Sequence, residues 1–196
     1  MDENLFQSAR KTRETDVAVS IRVPGQGKAE VSTQVGFLDH MLTLFAVHGM
    51  FDLSVAATGD THVDFHHTVE DVGITLGDAL FAAVKDRTGF ARYGNAVVPM
   101  DEALAEAAVD LSRRPYLVFE VPFVNQAVGG VETQLFREFF RAVVVRAQMT
   151  LHLRVPYGKN DHHMIEAVFK AFGRALAAAL APDPRVTGVL SSKGVL

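Results

Sequence analysis

The chain has 196 residues, 48% hydrophobic and 21% charged, with 15 Gly and 7 Pro, which suits a globular protein with a real core and excludes disordered, collagenous and low-complexity chains. A formal charge of -4 supplies no bulk positive field for a phosphate backbone or an anionic bilayer, so neither nucleic acid nor membrane is an expected partner. Cysteine is absent, which removes disulfides, thiolate nucleophiles and sulfur-ligated metals and leaves nitrogen and oxygen as the ligands for any cation.

Val17, Val19, Ile21 and Val23 alternate with polar or small residues, which predicts a half-buried strand ending at the Pro24-Gly25-Gln26-Gly27 turn. A second strand, about 28–35, is expected to pair with it. Phe37, Met41, Leu44, Phe45 and His48 recur at helical intervals up to Gly49, placed for a helix C-terminus. A strand over 51–57 follows, then a helix from His66 to about Gly89 with Val69, Val72, Leu76, Leu80 and Ala83 on one stripe.

The second half repeats this order: strand 116–122, turn at Gly129-Gly130, helix 135–146, strand 149–155, turn at Gly158 and helix 162–181. Ile165, Val168, Phe172, Leu176 and Ala179 copy the spacing of the stripe from Val69, and Gly173 answers Gly77, where another element is expected to pack closely. Segment 101–111 is Ala-rich, which favours helix, yet Ala103, Ala105, Ala107, Val109 and Leu111 alternate, and strand is the choice made. The expected fold is α+β, two tandem pseudo-symmetric βα halves (1–95 and 96–196), each a small mixed sheet with two helices on one face. Segment 95–100 is expected to join them.

Each half carries His-His-x-x-Glu: His66-His67-Thr68-Val69-Glu70 and His162-His163-Met164-Ile165-Glu166. On a helix, residues four apart share a face whereas neighbours diverge by about 100°. His66 therefore sits with Glu70 and His162 with Glu166, while His67 and His163 point elsewhere. Two copies that exchange their divergent histidines complete two sites, which suggests a pair of metal ions. In a first helical turn the dipole disfavours imidazolium and frees the ring lone pair. Imidazole with carboxylate suits Mn, Fe, Ni or Zn alike.

Phe37-Leu38-Asp39-His40-Met41-Leu42, His48-Gly49, Gly59-Asp60, His66-His67-Thr68-Val69-Glu70-Asp71, Asp110-Leu111-Ser112, Arg114-Pro115-Tyr116, His162-His163 and Ser191-Ser192-Lys193-Gly194 together resemble the imidazoleglycerol-phosphate dehydratase family, in its order and spacing from about Arg13 to Leu196. The resemblance implies a histidine-biosynthesis enzyme that converts D-erythro-imidazole glycerol 3-phosphate to imidazole acetol phosphate and water through an imidazolate bound by two metals. It implies two Mn2+ per active site and a hollow homo-oligomer of twenty-four chains. By the same carry-over, one ion takes His40, His67, His162 and Glu166. The other takes His66, Glu70, His163 and Glu138, a position where some members have His. Substrate contacts fall on Glu14, His40, His48, Arg92, Arg114, Lys170, Ser192 and Lys193. Glu14 is the implied general acid/base, with Glu166 as a helper.

Outside the resemblance, His40 has equal claims as a ligand and as a hydrogen-bonding partner of Asp39, His48 as a helix cap, and Arg92 and Arg114 as surface residues. The alternative enzyme is a dinuclear metallohydrolase of a small phosphoester or amide, and the non-catalytic alternative a metal-holding scaffold. No apolar run approaches the ~18 residues that span a bilayer, and no cationic leader follows Met1, so the expected location is the cytoplasm.

Overall fold

A computed structural model of the chain describes residues 4–86 and 88–192. The first half runs β1 (Leu5–Lys11), β2 (Thr15–Arg22), β3 (Ala29–Ser32), α1 (Gly36–Gly49), β4 (Asp52–Gly59) and α2 (His66–Val84). The second runs β5 (Tyr93–Met100), β6 (Ala103–Asp110), β7 (Tyr116–Glu120), a small hairpin of β8 (Ala127–Val128) and β9 (Val131–Glu132), α3 (Thr133–Ala147), β10 (Thr150–Tyr157) and α4 (Asp161–Leu180). The two sheets have the same order, β1-β2-β4-β3 and β5-β6-β10-β7, each with two antiparallel junctions and one parallel. The tandem pseudo-symmetric α+β halves are therefore present in the backbone itself.

Alternation governs which face each sheet buries. Thr15, Val17, Val19 and Ile21 of β2 point inward while Asp16 and Ala18 are exposed. Within segment 101–111, Ala103–Asp110 form β6, in which Ala103, Ala105, Ala107 and Val109 are buried. Its pattern prevails over alanine's helical preference because the sheet face has a core to cover. Small side chains there also let α4 lie close, since α4 packs on both β5 and β6.

Three expectations change. The strand within 28–35 pairs not with β2 but parallel to β4. Both edges of β2 are taken by β1 and β4, and the β3-α1-β4 crossover itself requires parallel neighbours. Segment 95–100 is no junction but part of β5, an edge strand whose Pro99 costs no ladder bond on the outer side. Gly49 lies inside α1 rather than beyond it, and Met50 takes the left-handed cap at φ 53, as Gln148 does after α3 at φ 54.

Four helices fill the space between the sheets, and they pack across the halves: α1 on α4 and α2 on α3. The repeated glycines permit this approach. A Cβ at Gly77 would stand 2.7 Å from the Val143 carbonyl, and one at Gly173 would stand 2.5 Å from the Phe45 carbonyl. Phe45, Phe136, Phe139, Phe140, Phe169 and Phe172 are wholly buried around these seams, each stabilising by about 1.5–3 kcal/mol relative to exposure. Among the described residues no helix is long and apolar enough to cross a membrane.

Candidate metal centre and anion pocket

The start of α4 is fixed from both sides. The Asn160 side chain accepts the His162 N–H at 2.9 Å, and the buried Asp161 carboxylate accepts the N–H groups of Val124 and Asn125 at 2.9 and 2.8 Å. From there His162, Glu166, Lys170 and Arg174 recur every fourth residue, along the helix that packs against α1 with His40 and His48. Glu166 Oε2 lies 3.1 Å from His162 Nε2 and 3.4 Å from His40 Nε2. The ligand atoms of these three residues all fall within 4.8 Å of one another. The His162 ring meets Phe37 edge to face at 5.1 Å, which fixes its plane.

Lys170 donates to the other Glu166 oxygen at 2.6 Å. Burial works to raise the Glu166 carboxyl, but Lys170, His162 and His40 outweigh it and hold the group below the usual carboxylate range. Glu166 is thus ionised at neutral pH, suited to bind a cation and ill suited to donate a proton. His48 is pushed the other way from what a helix C-terminus favours. Its own burial, with the positive charges of Lys170 and Arg174, lowers its pKa against a weaker pull from Glu166.

The pseudo-symmetry places a second cluster between α2 and α3. Glu138 lies ten residues before the Gln148 cap, as His40 lies ten before Met50, so Glu138 occupies the position of His40. Glu70 is the counterpart of Glu166. Arg141 spans the two acids, Nη2 to Glu70 at 2.8 Å and Nε to Glu138 at 2.7 Å. His66, the counterpart of His162, borders a cavity of about 240 Å3 with Thr61, Glu132 and Gln134.

The neighbouring histidines turn away, as their helical positions require. The His66 and His67 rings are 6.0 Å apart at 83°, and those of His162 and His163 are 6.3 Å apart at 79°. His67 Nδ1 meets Asp60 Oδ2 at 3.0 Å, with Glu14 Oε2 at 4.0 Å. His163 Nδ1 meets Glu102 Oε2 at 2.7 Å. The hydrogen bond to Asp60 raises the His67 pKa, and that to Glu102 raises the His163 pKa, each against the opposing pull of desolvation. In return His163, together with the N–H groups of Asn160 and Lys159, lowers Glu102 to about 2.

The cationic groups gather at the far end of α4. Arg92, at φ 69, is buried and already engaged: it donates to Asp110 at 2.7 and 3.2 Å and to the Leu190 carbonyl at 2.5 Å. Arg114 is exposed, with Asp110 at 3.6 Å. These two, with Arg185, Thr187, Ser191 and Ser192, line a cavity of about 650 Å3. The Arg92 N–H bonds to the carbonyl of Ala179. Seventeen residues separate Ala179 from His162 on α4, or roughly 25 Å at the rise of an α-helix.

The sequence matches the family model described as imidazoleglycerol-phosphate dehydratase over residues 33–176. The chain belongs to the imidazoleglycerol-phosphate dehydratase family. It is 56% identical to the enzyme of Acetivibrio thermocellus, over 97% of this chain and 98% of that one. It is 50% identical to the enzyme of Clostridium botulinum strain Kyoto over the full length of both. Crystal structures of the Staphylococcus aureus enzyme (44% identity, TM-score 0.82, 91% of this chain and 99% of that one) and the Pyrococcus furiosus enzyme (40%, 0.83, 96% and 99%) share its fold. Imidazoleglycerol-phosphate dehydratases are hydro-lyases of histidine biosynthesis, and this chain is one of that class.

For an imidazoleglycerol-phosphate dehydratase chain, the arrangement is divided. Of the eight expected ligands, His40, His162 and Glu166 converge, Glu70 and Glu138 meet through Arg141, and His66 lies beside its own cavity. His67 and His163 are held apart by other carboxylates. Glu14 stands beside His67, Lys170 against Glu166, and His48 farther along the α1–α4 seam. Arg92, Arg114 and Ser192 line the arginine-rich cavity, and Lys193 lies outside the described residues. No sequence motif points to Arg141, Arg185 or Glu102. Asp60 had a local signal, its place in the Gly59-Asp60 turn just before the histidine pair, whereas Glu102 acts on His163 from 61 residues away.

Proposed function

We propose that this dehydratase converts D-erythro-imidazole glycerol 3-phosphate to imidazole acetol phosphate and water with two Mn2+ per active site, as a large homo-oligomer of twenty-four chains in the cytoplasm. The observation that supports it best is the convergence of His40, His162 and Glu166 on one point, with the carboxylates Glu138 and Glu70 at the equivalent positions of the other half. The His40, His162 and Glu166 donors fit a small dication: they are nitrogen and oxygen atoms close enough together to share one ion, and the carboxylate is ionised. His40, His67, His162 and Glu166 would hold one ion and His66, Glu70, Glu138 and His163 the other. When bound, the ions supply Lewis acidity toward the substrate's imidazole ring.

The chain's own groups do the rest. Arg114, Arg185 and Ser192 offer paired and single donors to the phosphate oxygens. The Arg92–Asp110 pair holds the Leu190 segment in place beside them. Glu14, exposed and next to His67, takes the proton from the carbon adjacent to the ring-bearing carbon and returns a proton to the departing hydroxyl, so that water leaves and an enol remains. The enol then tautomerises to the ketone. Because roughly 25 Å of α4 separates the histidine cluster from the arginine pocket, one short substrate must draw on two copies of the chain.

Metal analysis combined with direct product detection on the purified protein tests this reading. About two metals per chain, loss of most turnover on chelation and recovery with Mn2+ are expected. Full activity in metal-free protein would reject it.

A further inference from the structure

His67 and His163, the two histidines that leave the clusters, share a feature that the pseudo-symmetry dictates only in part: Glu102, directly before β6, is the counterpart of Glu14, directly before β2 and 4.0 Å from His67 Nδ1. Each is gripped at Nδ1 by a carboxylate, and the two carboxylates come from unrelated places. Asp60 lies in the loop before α2, seven residues from its histidine, whereas Glu102 lies in the β5–β6 turn of the other sheet. In the second half the acid before the strand bonds the histidine directly, whereas in the first half Glu14 stands off at 4.0 Å and Asp60, which has no acidic counterpart after β10, takes the Nδ1 contact.

Both residues are held, Glu102 by its carboxylate and Asp60 by its backbone. Glu102 Oε1 accepts the N–H groups of Lys159 and Asn160 at 3.1 and 2.8 Å, so the loop entering α4 fixes it. The Asp60 N–H donates to the Glu14 carbonyl at 3.1 Å, and the Asp60 carbonyl accepts the Val63 N–H at 2.8 Å. Asp60 Oδ1 is buried with no hydrogen-bond partner among the described residues. A carboxylate kept for local structure would use both oxygens on the backbone, because a buried unsatisfied acceptor costs free energy. Asp60 instead spends its one side-chain bond on the imidazole.

We propose that Asp60 and Glu102 are positioning residues that fix His67 and His163 by Nδ1, so that each ring offers Nε2, which in His163 has the exposed Asp101 carboxylate at 3.8 Å, to a cation shared with another copy of the chain. This rests on the two-metal reading above. A carboxylate accepts the Nδ1 proton, which leaves the lone pair on Nε2, sets the plane of the ring and raises its basicity as a ligand. An amide in the same place presents an NH2 group as readily as an oxygen. It then donates to Nδ1, moves the ring proton to Nε2 and blocks the ligand atom.

The test is calorimetric titration of Mn2+ into the metal-stripped full-length protein, comparing wild type with Asp60→Asn, Asp60→Glu, Glu102→Gln, His67→Ala and the double variant Asp60→Asn/His67→Ala. Asp60→Asn and Glu102→Gln are each expected to weaken one class of Mn2+ site about 10- to 100-fold, with Asp60→Glu recovering part of the loss. The melting temperature of metal-free Asp60→Asn should match wild type. The double variant should bind no worse than His67→Ala, because Asp60 acts through that ring. Wild-type Mn2+ affinity in both amide variants overturns the proposal, as does a loss in the double variant that exceeds His67→Ala. If His67→Ala itself binds Mn2+ as wild type does, the two-metal reading fails first and this inference falls with it.

Discussion

Glu14 and Glu166 are both carboxylates of the candidate site, and their surroundings give them different work. Glu166 is buried beside Lys170 and two imidazoles and stays ionised, whereas Glu14 is largely exposed at the turn between β1 and β2, 4.0 Å from His67. Glu14→Gln is therefore expected to keep its full metal content while kcat falls at least about 100-fold, the scale of a lost general acid/base; metal analysis beside single-turnover product formation checks this. A metal-depleted variant would make Glu14 a ligand instead. His48 carries a pH signature. Its burial and the nearby Lys170 and Arg174 lower its folded pKa below 6.5, and Glu166 opposes them only partly. The stability this contributes is complete above pH 6.5 and is lost as pH falls through the depressed folded value, where the unfolded chain binds the proton more readily. NMR titration of the imidazole should place the His48 midpoint below 6.5, and His48→Gln should flatten the acid-side fall in melting temperature.

At the scale of elements, the site depends on how closely α1 and α4 approach. Gly173 carries that seam, since an added methyl meets the Phe45 backbone. Gly173→Ala is expected to destabilise the fold by about 1–3 kcal/mol and to weaken Mn2+ binding at the His40, His162 and Glu166 cluster by moving α1 off α4. Thermal melting and Mn2+ titration of the same preparation separate the two effects. The elements also differ in how openly the sequence declared them. The β2 alternation and the stripes of α2 and α4 are local patterns with their own period, and they appear where expected. The partner of β3 was hidden, because a strand's own residues do not state which edge of a sheet is vacant. β5 was hidden too, since Gly94 and Pro99 interrupt its pattern and only its edge position makes them tolerable. The divergence within each His-His pair was legible because it follows from helix geometry alone. The Glu102–His163 and Arg141–Glu70 contacts were not, since their partners are 61 and 71 positions apart.

The whole molecule keeps its acidic net charge while concentrating Arg92, Arg114 and Arg185 around one cavity, so positive charge is a property of that patch and not of the surface at large. The same chain keeps its imidazole donors at the opposite tip of α4. Two crippled subunits should therefore repair each other. A preparation of His162→Ala, inert alone, mixed and reassembled with one of Arg114→Ala, equally inert, contains junctions where an intact histidine tip faces an intact arginine tip, and a fraction of wild-type turnover should return. Blending without recovery would mean that each protomer works alone, whatever its shape.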